Sequence, residues 1–159
     1  MEFPKVRCLL LGGYDTNPSA LTKEELKPFI KSGVIEYFGE QLDVRPFFAR
    51  CSVFVLPSYR EGTPKAVLEA MACGTPVVGT NQGGIPDFLK EEVGTLVEVE
   101  NVEQLANAII DILKDRKKFD REYIAKYVKD NHSQDVLTQE LIDVYAVSYT
   151  HLRAHETKA

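Results

Sequence analysis

The sequence lacks several features that would place it in a specialised class of protein. It has three cysteines, Cys8, Cys51 and Cys73, at spacings that suit neither a metal site nor a disulfide framework. We expect them to be reduced, buried side chains of a cytoplasmic protein. No apolar run approaches the roughly 18 residues needed to cross a bilayer. The first residues do not have the pattern of a secretory signal, so we expect neither a transmembrane segment nor export.

The charge balance lacks the basic excess of a protein that binds nucleic acid. Lysine and arginine number 19, aspartate and glutamate number 24, and the formal net charge is −5. Without a basic stripe to displace counterions from a phosphate backbone, nucleic acid is not expected as a partner. Hydrophobic residues make up 44% of the chain and charged residues 27%, which argues against disorder. The length of 159 residues is typical of about one domain.

Short apolar runs alternate with helix-forming segments along most of the chain. The apolar runs predict strands at 6–11, 34–38, 53–56, 76–79 and 94–97. Apolar residues at helical spacing predict helices at 21–31, 42–51, 65–73, 85–89, 102–113, 119–128 and 136–147. This alternation predicts an α/β fold with a doubly wound, Rossmann-like parallel sheet. In such a fold, ligand binds outside the carboxyl ends of the strands.

The last segment, 148–159, breaks this pattern. It reads S-Y-T-H-L-R-A-H-E-T-K-A, with no apolar face at helical spacing and no cap. We therefore expect it to be a non-native or disordered tail, and we expect residues 1–147 to form the folded domain.

The most informative stretch follows the third predicted strand. A polar loop, 58–63, leads into the helix at 65–73, and the free amides and partial positive charge of such a helix N-terminus suit a phosphate. Glu61 in the loop and Glu69 in the helix form an E-x7-E pair whose carboxylates are suited to accept hydrogen bonds from hydroxyl groups beside that phosphate. Sugars place hydroxyl groups there. The alternative, a solvated or capping Glu69 and a loop charge at Glu61, stays open at this point.

The two glutamates lie within a longer pattern, E-G-T-P-K-A-V-L-E-A-M-A-C-G-T-P-V-V-G-T-N-Q-G-G-I-P-D, at 61–87. This pattern resembles the core signature of the retaining "group 1" glycosyltransferases of the GT-B fold. The resemblance extends over about 6–146 and includes V-F-V-L-P-S before the loop and L-A-N-A-I-I-D-I-L in a late helix. A lone E-x7-E is a weak signal, whereas this surrounding pattern makes it specific.

The resemblance implies an activity and a place in a larger enzyme. A sugar would pass, with retention at the anomeric carbon, from a nucleoside diphosphate sugar to an acceptor hydroxyl of a polysaccharide, lipid-linked oligosaccharide or similar glycan. A UDP-sugar is the expected donor, with no cofactor and no metal. In the family, an earlier strand, a basic pair and a whole acceptor-binding domain precede this region. The chain would then be the C-terminal half of a two-domain enzyme, with 1–147 as a donor-binding domain truncated at its N-terminus.

We also expect this isolated half to bind the donor nucleotide weakly and to be inactive as a transferase. The full-length enzyme would be cytoplasmic, with peripheral association at the inner face of the membrane left open.

The resemblance assigns roles to individual residues. Glu61 would contact the donor-sugar hydroxyls nearest the reacting centre and is the expected catalytic residue. Glu69 would accept hydrogen bonds from the ribose. The backbone amides of Gly62 and Thr63 would meet the sugar and diphosphate. The remaining residues expected to bind the donor are Pro64, Lys65 and Gly12.

Two details of the pattern leave alternatives open. Pro64 stands where many members of the family have glycine, and proline removes an amide that could face phosphate but suits the first position of a helix. Lys65 then either supplies charge to the phosphate or is a solvated lysine. The pair Gly83 and Gly84 allows the backbone to approach closely either a ligand or the neighbouring loop.

Two other classes of function remain to be weighed. A non-catalytic domain could keep the fold and lose the chemistry, but the presence of both Glu61 and Glu69 argues against this. Alanine at Glu69 would distinguish the two, because nucleotide affinity should fall only if the residue binds donor. A dinucleotide-binding oxidoreductase is disfavoured, because the first strand ends in Gly12, Gly13 and Tyr14 without the G-x-G-x-x-G pattern.

Overall fold

The computed structural model describes residues 6–14, 20–139 and 141–143. The chain divides into two compact units, the first ending at Val44 and the second beginning at Arg45. The tail expected at 148–159 lies outside the described residues, and the domain limits drawn from the sequence stay a prediction.

The first unit contains a two-stranded parallel sheet and a helix. Strand β1 (Cys8–Leu11) pairs with β2 (Ile35–Gly39), and helix α1 (Lys23–Lys31) connects them. The start of α1 is fixed by a capping box, in which the Thr22 hydroxyl accepts from the Glu25 amide and the Glu25 carboxylate accepts from the Thr22 amide.

The second unit contains a three-stranded parallel sheet in the order β3-β4-β5. Its strands are β3 (Phe54–Leu56), β4 (Val77–Thr80) and β5 (Gly94–Val97). Its helices are α2 (Arg45–Arg50), α3 (Lys65–Ala72), α4 (Ile85–Phe88), α5 (Val102–Lys114) and α6 (Arg121–His132). Residues 134–139 and 141–143 are also helical. The central strand β4 is buried along its whole length, as expected for a parallel strand covered on both faces.

The core of the second unit lies between β4 and its helices. Val67, Ala70 and Met71 of α3 have no exposed surface, and neither do Val77 and Val78 of β4. Helix α3 packs against α2 and α6 as well as against the sheet. The opposite side of α3, which carries Glu69, is therefore the side left to solvent.

The predicted α/β fold with parallel, Rossmann-like strand pairing is confirmed. Every predicted strand forms, and the helices predicted before residue 130 form with shifts at their ends. The described strands are hydrogen-bonded as two sheets, one in each unit. The prediction that the cysteines are buried is wrong for Cys8, which is exposed at the first position of β1, in a sheet of only two strands. Cys51 and Cys73 are half-buried, and none of the three cysteines forms a disulfide.

Candidate donor-binding site

The loop after β3 is attached to the carboxyl end of β4. Thr80, the last residue of β4, is 4% exposed, and its hydroxyl donates to the Ser58 carbonyl at 2.6 Å. The Ser58 hydroxyl donates in turn to Glu61 Oε1 at 2.7 Å. Glu61 is half-buried. The sheet therefore holds the loop, and the loop holds the Glu61 carboxylate.

The glycine pair before α4 packs against this same loop. The Gly84 amide donates to the Glu61 carbonyl at 3.0 Å. A Cβ atom at Gly83 would lie within 3.0 Å of the Glu61 carbonyl oxygen, and one at Gly84 would lie as close to the Gly62 carbonyl oxygen. Gly83 also has φ of +59°, in the left-handed region. Of the two alternatives for this pair, close approach to the neighbouring loop is the one observed.

Helix α3 begins immediately after the loop with an uncapped N-terminus. Pro64 is the N-cap residue, with φ of −76°, and it lies one position earlier than the first helical position expected for it. The Pro64 carbonyl accepts from the Val67 amide at 2.9 Å, as the carbonyl of an N-cap residue does. The first turn carries no acidic side chain. The Lys65 amide donates to the Thr63 carbonyl at 2.9 Å, so this helix end offers an anion its partial positive charge without a full set of unpaired amides.

Glu69 lies further along α3, on its exposed side. No hydrogen bond or ion pair to its carboxylate is formed by any other residue in the described part of the chain. Lys65, in the first turn, is also exposed. Both charges are thus accessible to a ligand as well as to solvent.

All predicted site residues except Gly12 lie together on the loop after β3 and on α3. Gly12 belongs to the first unit, where it follows β1 with φ of +122° and its carbonyl accepts from the Tyr37 hydroxyl at 2.7 Å. The roles of Gly12 and of the other site residues stay predictions. Sequence reasoning missed Ser58 and Thr80. The S-x-x-E spacing from Ser58 to Glu61 was a signal that could have found the first of them.

A shallow pocket opens at the carboxyl ends of the three strands of the second unit. Its walls come from the ends of β3, β4 and β5 and from the start of α5, and the residues are Pro57, Tyr59, Thr80, Val97, Glu98, Glu100, Asn101, Val102 and Leu105. The carboxylates of Glu98 and Glu100 make this pocket unfavourable for phosphate.

The described residues form neither a cluster suited to a metal ion nor a helix suited to cross a membrane. In the described ranges, no group of three or more histidine, cysteine, aspartate or glutamate side chains is arranged to hold a metal ion. None of the helices in these ranges has both the length and the apolar character to span a membrane.

The second unit has parallel strands, and the loop at their carboxyl ends leads into a helix without a side-chain cap. This arrangement is that of the α/β proteins that bind ligands at the carboxyl ends of their strands. The family model described as "Glycosyl transferases group 1" matches residues 2–115. The chain belongs to this family.

Relatives and solved structures agree with this family. The N,N'-diacetylbacillosaminyl-diphospho-undecaprenol alpha-1,3-N-acetylgalactosaminyltransferase of Campylobacter jejuni is 32% identical over 145 residues, which are 89% of this chain and 37% of that protein. Sucrose-phosphate synthase from Thermosynechococcus elongatus superposes with a TM-score of 0.77 at 26% identity, covering 94% of this chain and 40% of that one. Anabaena HepE in complex with UDP gives a TM-score of 0.74 at 25% identity, covering 91% and 42%. The chain therefore spans less than half the length of each of these proteins.

Proposed function

We propose that the chain is the C-terminal, donor-binding half of a retaining glycosyltransferase of the GT-B fold. The whole enzyme transfers a sugar from a nucleoside diphosphate sugar to an acceptor hydroxyl of a glycan. One observation carries this proposal. The half-buried Glu61 carboxylate is held by Ser58 in the loop that leads directly into the uncapped N-terminus of α3. That arrangement provides an acceptor for sugar hydroxyls next to a position suited to phosphate.

Each part of the site has a role in this proposal. The partial positive charge at the N-terminus of α3, with the Lys65 ammonium, stabilises the negative charge that develops on the leaving diphosphate as the glycosidic bond breaks. Glu61 accepts hydrogen bonds from the donor sugar and orients it for attack. Glu69 accepts hydrogen bonds from the ribose hydroxyls. An ionised carboxylate suits both tasks because it has two acceptor oxygens and no competing donor.

The identity of the donor is proposed from the structural neighbours. Anabaena HepE was solved with UDP and with UDP-glucose, and its match to this chain at 25% identity supports a UDP-sugar donor here. The Campylobacter relative is named for a sugar carried on diphospho-undecaprenol, which supports a lipid-linked oligosaccharide as acceptor. We place the binding of that acceptor in a preceding domain of a longer protein. A cytoplasmic location for that protein also stays a proposal.

Calorimetric titration with UDP, GDP and ADP tests the donor-binding role. We expect UDP to bind, and we expect Glu69→Ala to weaken UDP binding about tenfold or more, because hydrogen bonds to charged groups contribute roughly 1.5–3 kcal/mol. Glu91→Ala is the matched control, since this exposed glutamate lies just before β5, at the opposite end of the strands. A folded sample that gives no heat with any of the three nucleotides would refute the proposal.

A further inference from the structure

We propose that Ser58 is the positioning residue for the Glu61 carboxylate, and that Thr80 holds Ser58 in place. The proposal rests on the donor-binding function proposed above, because it concerns how Glu61 is presented to the donor sugar.

The hydrogen bonds of Ser58 form a connected series from the sheet to the site. The main chain of Ser58 is held by the Thr80 hydroxyl, at 2.6 Å from the Ser58 carbonyl. The side chain of Ser58 has a single hydroxyl proton, and this proton is donated to Glu61 Oε1 at 2.7 Å. Thr80 is almost fully buried at the end of the buried strand β4. The position of Ser58 is thus set by one of the most rigidly packed parts of the second unit.

Two separate contacts then fix Glu61. Its main chain is held by the Gly84 amide, at 3.0 Å from the Glu61 carbonyl, and its carboxylate is held by Ser58. Without the Ser58 hydroxyl, the side chain of Glu61 would be free to change rotamer while its backbone stayed in place. Ser58 engages Oε1 and leaves Oε2 as an acceptor for a ligand hydroxyl. A carboxylate held in advance loses less conformational entropy when the ligand binds.

A purely structural role for the same contact makes a different prediction. If Ser58 only stabilised the loop, its removal would also disturb the start of α3, and affinity for UDP and for a UDP-sugar would fall together. If Ser58 positions Glu61, only the ligand that carries a sugar loses affinity. The difference between the two ligands therefore separates the two roles.

The first experiment compares UDP with UDP-glucose by calorimetric titration of the full 159-residue chain. For Ser58→Ala we expect UDP-glucose affinity to fall about five- to tenfold, the effect of one charge-assisted hydrogen bond. UDP affinity should stay within about twofold of the original value, since its contacts are unchanged. Ser58→Thr, which keeps the hydroxyl, should restore UDP-glucose affinity. Equal losses for both ligands would overturn the proposal.

Controls show whether the effect passes through Glu61. In a Glu61→Ala background, Ser58→Ala should cause little additional loss of UDP-glucose affinity, because the acceptor of the Ser58 hydroxyl is already absent. Thr80→Val should reproduce the selective loss of UDP-glucose affinity, whereas Thr80→Ser should not. Ser52→Ala is the matched control, since Ser52 precedes β3, at the opposite end of the strand from the loop. Additive losses in the double variant would contradict the proposal.

A second experiment needs no ligand. In crystal structures of the unliganded variants, Ser58→Thr should keep the Glu61 carboxylate in place, and Ser58→Ala should show it displaced or in several rotamers. An unmoved carboxylate in Ser58→Ala would overturn the proposal. The crystal structures also separate the positioning of Glu61 from the proposed function. A chain that binds no nucleotide would refute the proposed function, whereas the crystal structures alone decide whether Ser58 positions Glu61.

Discussion

At the scale of single residues, Gly83 and Gly84 connect the packing of the second unit to its candidate site. Both lie against main-chain carbonyl oxygens of the loop that carries Glu61, so a side chain at either position would push that loop away. Gly62, in the same loop, has open space around the place where a Cβ atom would be. Alanine is therefore expected to clash with the loop at Gly83 and Gly84 but not at Gly62.

We expect Gly84→Ala to lower the free energy of unfolding by about 1–3 kcal/mol, as overpacking against a backbone group does. UDP-glucose affinity should also fall, because Glu61 and Gly62 must shift. Gly62→Ala is the control and should leave the free energy of unfolding within about 0.5 kcal/mol of the original value. Urea unfolding and calorimetric titration measure the two effects. Unchanged unfolding in Gly84→Ala would show that the loop does not depend on this close approach.

The residues of the site differ in how far the sequence could reveal them. Glu61 and Glu69 could be predicted as site residues because their spacing and the surrounding pattern are local in the chain, and their roles stay predictions. The bond from Thr80 to Ser58 could not be found in this way, because it joins residues 22 positions apart that meet only when β3 and β4 pair. The contact of Gly83 and Gly84 with the loop that carries Glu61 could not be predicted for the same reason, since it also forms only when β3 and β4 pair.

At the scale of helices and strands, Arg121 joins several elements of the second unit. It is the first residue of α6, and its guanidinium donates to groups at the end of α2 and in the turn between α3 and β4. The acceptors are the carbonyls of Ala49, Cys51 and Cys73 and the hydroxyl of Thr75, at 3.0–3.4 Å. The planar fork of arginine suits several acceptors at once.

We expect Arg121→Met to lower the free energy of unfolding by about 2–3 kcal/mol, because it removes charge-assisted hydrogen bonds and leaves partly buried carbonyls without a donor. Arg121→Lys should recover only part of this loss, since an ammonium cannot reproduce the fork. Arg116→Met, in the exposed turn before α6, is the control. Urea unfolding of the three variants gives the comparison. Equal effects of methionine at 116 and 121 would contradict the role assigned to Arg121.

The capping box of α1 predicts a dependence on pH. The amide and hydroxyl of Thr22 donate to the Glu25 carboxylate and lower its pKa below the ordinary value of 4.5. Because the pKa is lower in the folded chain, the resulting stabilisation is complete above the unfolded-state pKa and is lost as pH falls through the folded-state pKa. Thr22→Ala should raise the Glu25 pKa part of the way, since the amide remains. Thr22→Ser should leave it unchanged. Carboxyl titration by NMR measures both, and identical pKa values in all three proteins would refute the prediction.

The ends of helices were predicted less accurately from the sequence than the ends of strands. The helix predicted at 42–51 begins at Arg45, and Leu42, the first residue of the predicted range, is fully exposed. The strand predicted from Gly94 to Val97 has those bounds in the structure. Strands were located well because each is a short, uninterrupted apolar run. The ends of helices depend on capping residues and on burial, and the spacing of apolar residues reports neither of these.

At the scale of the whole molecule, the alternation of strands and helices predicted the fold class but not the division into two sheets. The limits of a domain at 1–147 stay a prediction, and the chain divides into two compact units between Val44 and Arg45. Most buried apolar side chains of the described residues lie in the second unit, and Leu26 is the buried apolar residue of the first. Strand pairing depends on contacts between distant parts of the chain, which a single sequence pattern does not specify.

Whether this chain can complete a reaction depends on which parts of the whole protein it contains. The sugar transfer proposed above needs an acceptor hydroxyl held against the donor sugar, and positioning of this kind supplies much of the rate. The chain covers 37% of the Campylobacter relative and 40–42% of the structural neighbours, and we propose that acceptor binding belongs to a part that it does not include.

We therefore expect the 159-residue chain to bind UDP-glucose without releasing UDP from it, either alone or with added glycan acceptor. A longer protein that adds a preceding acceptor-binding domain should release UDP, and Glu61→Gln in that protein should lower kcat by about 100-fold or more, because the carboxylate acts on the reacting sugar. A coupled assay for UDP follows both proteins, with Glu91→Gln as the control. Turnover by the shorter chain would show that its own residues complete the active site, since no second domain would then be needed to hold the acceptor.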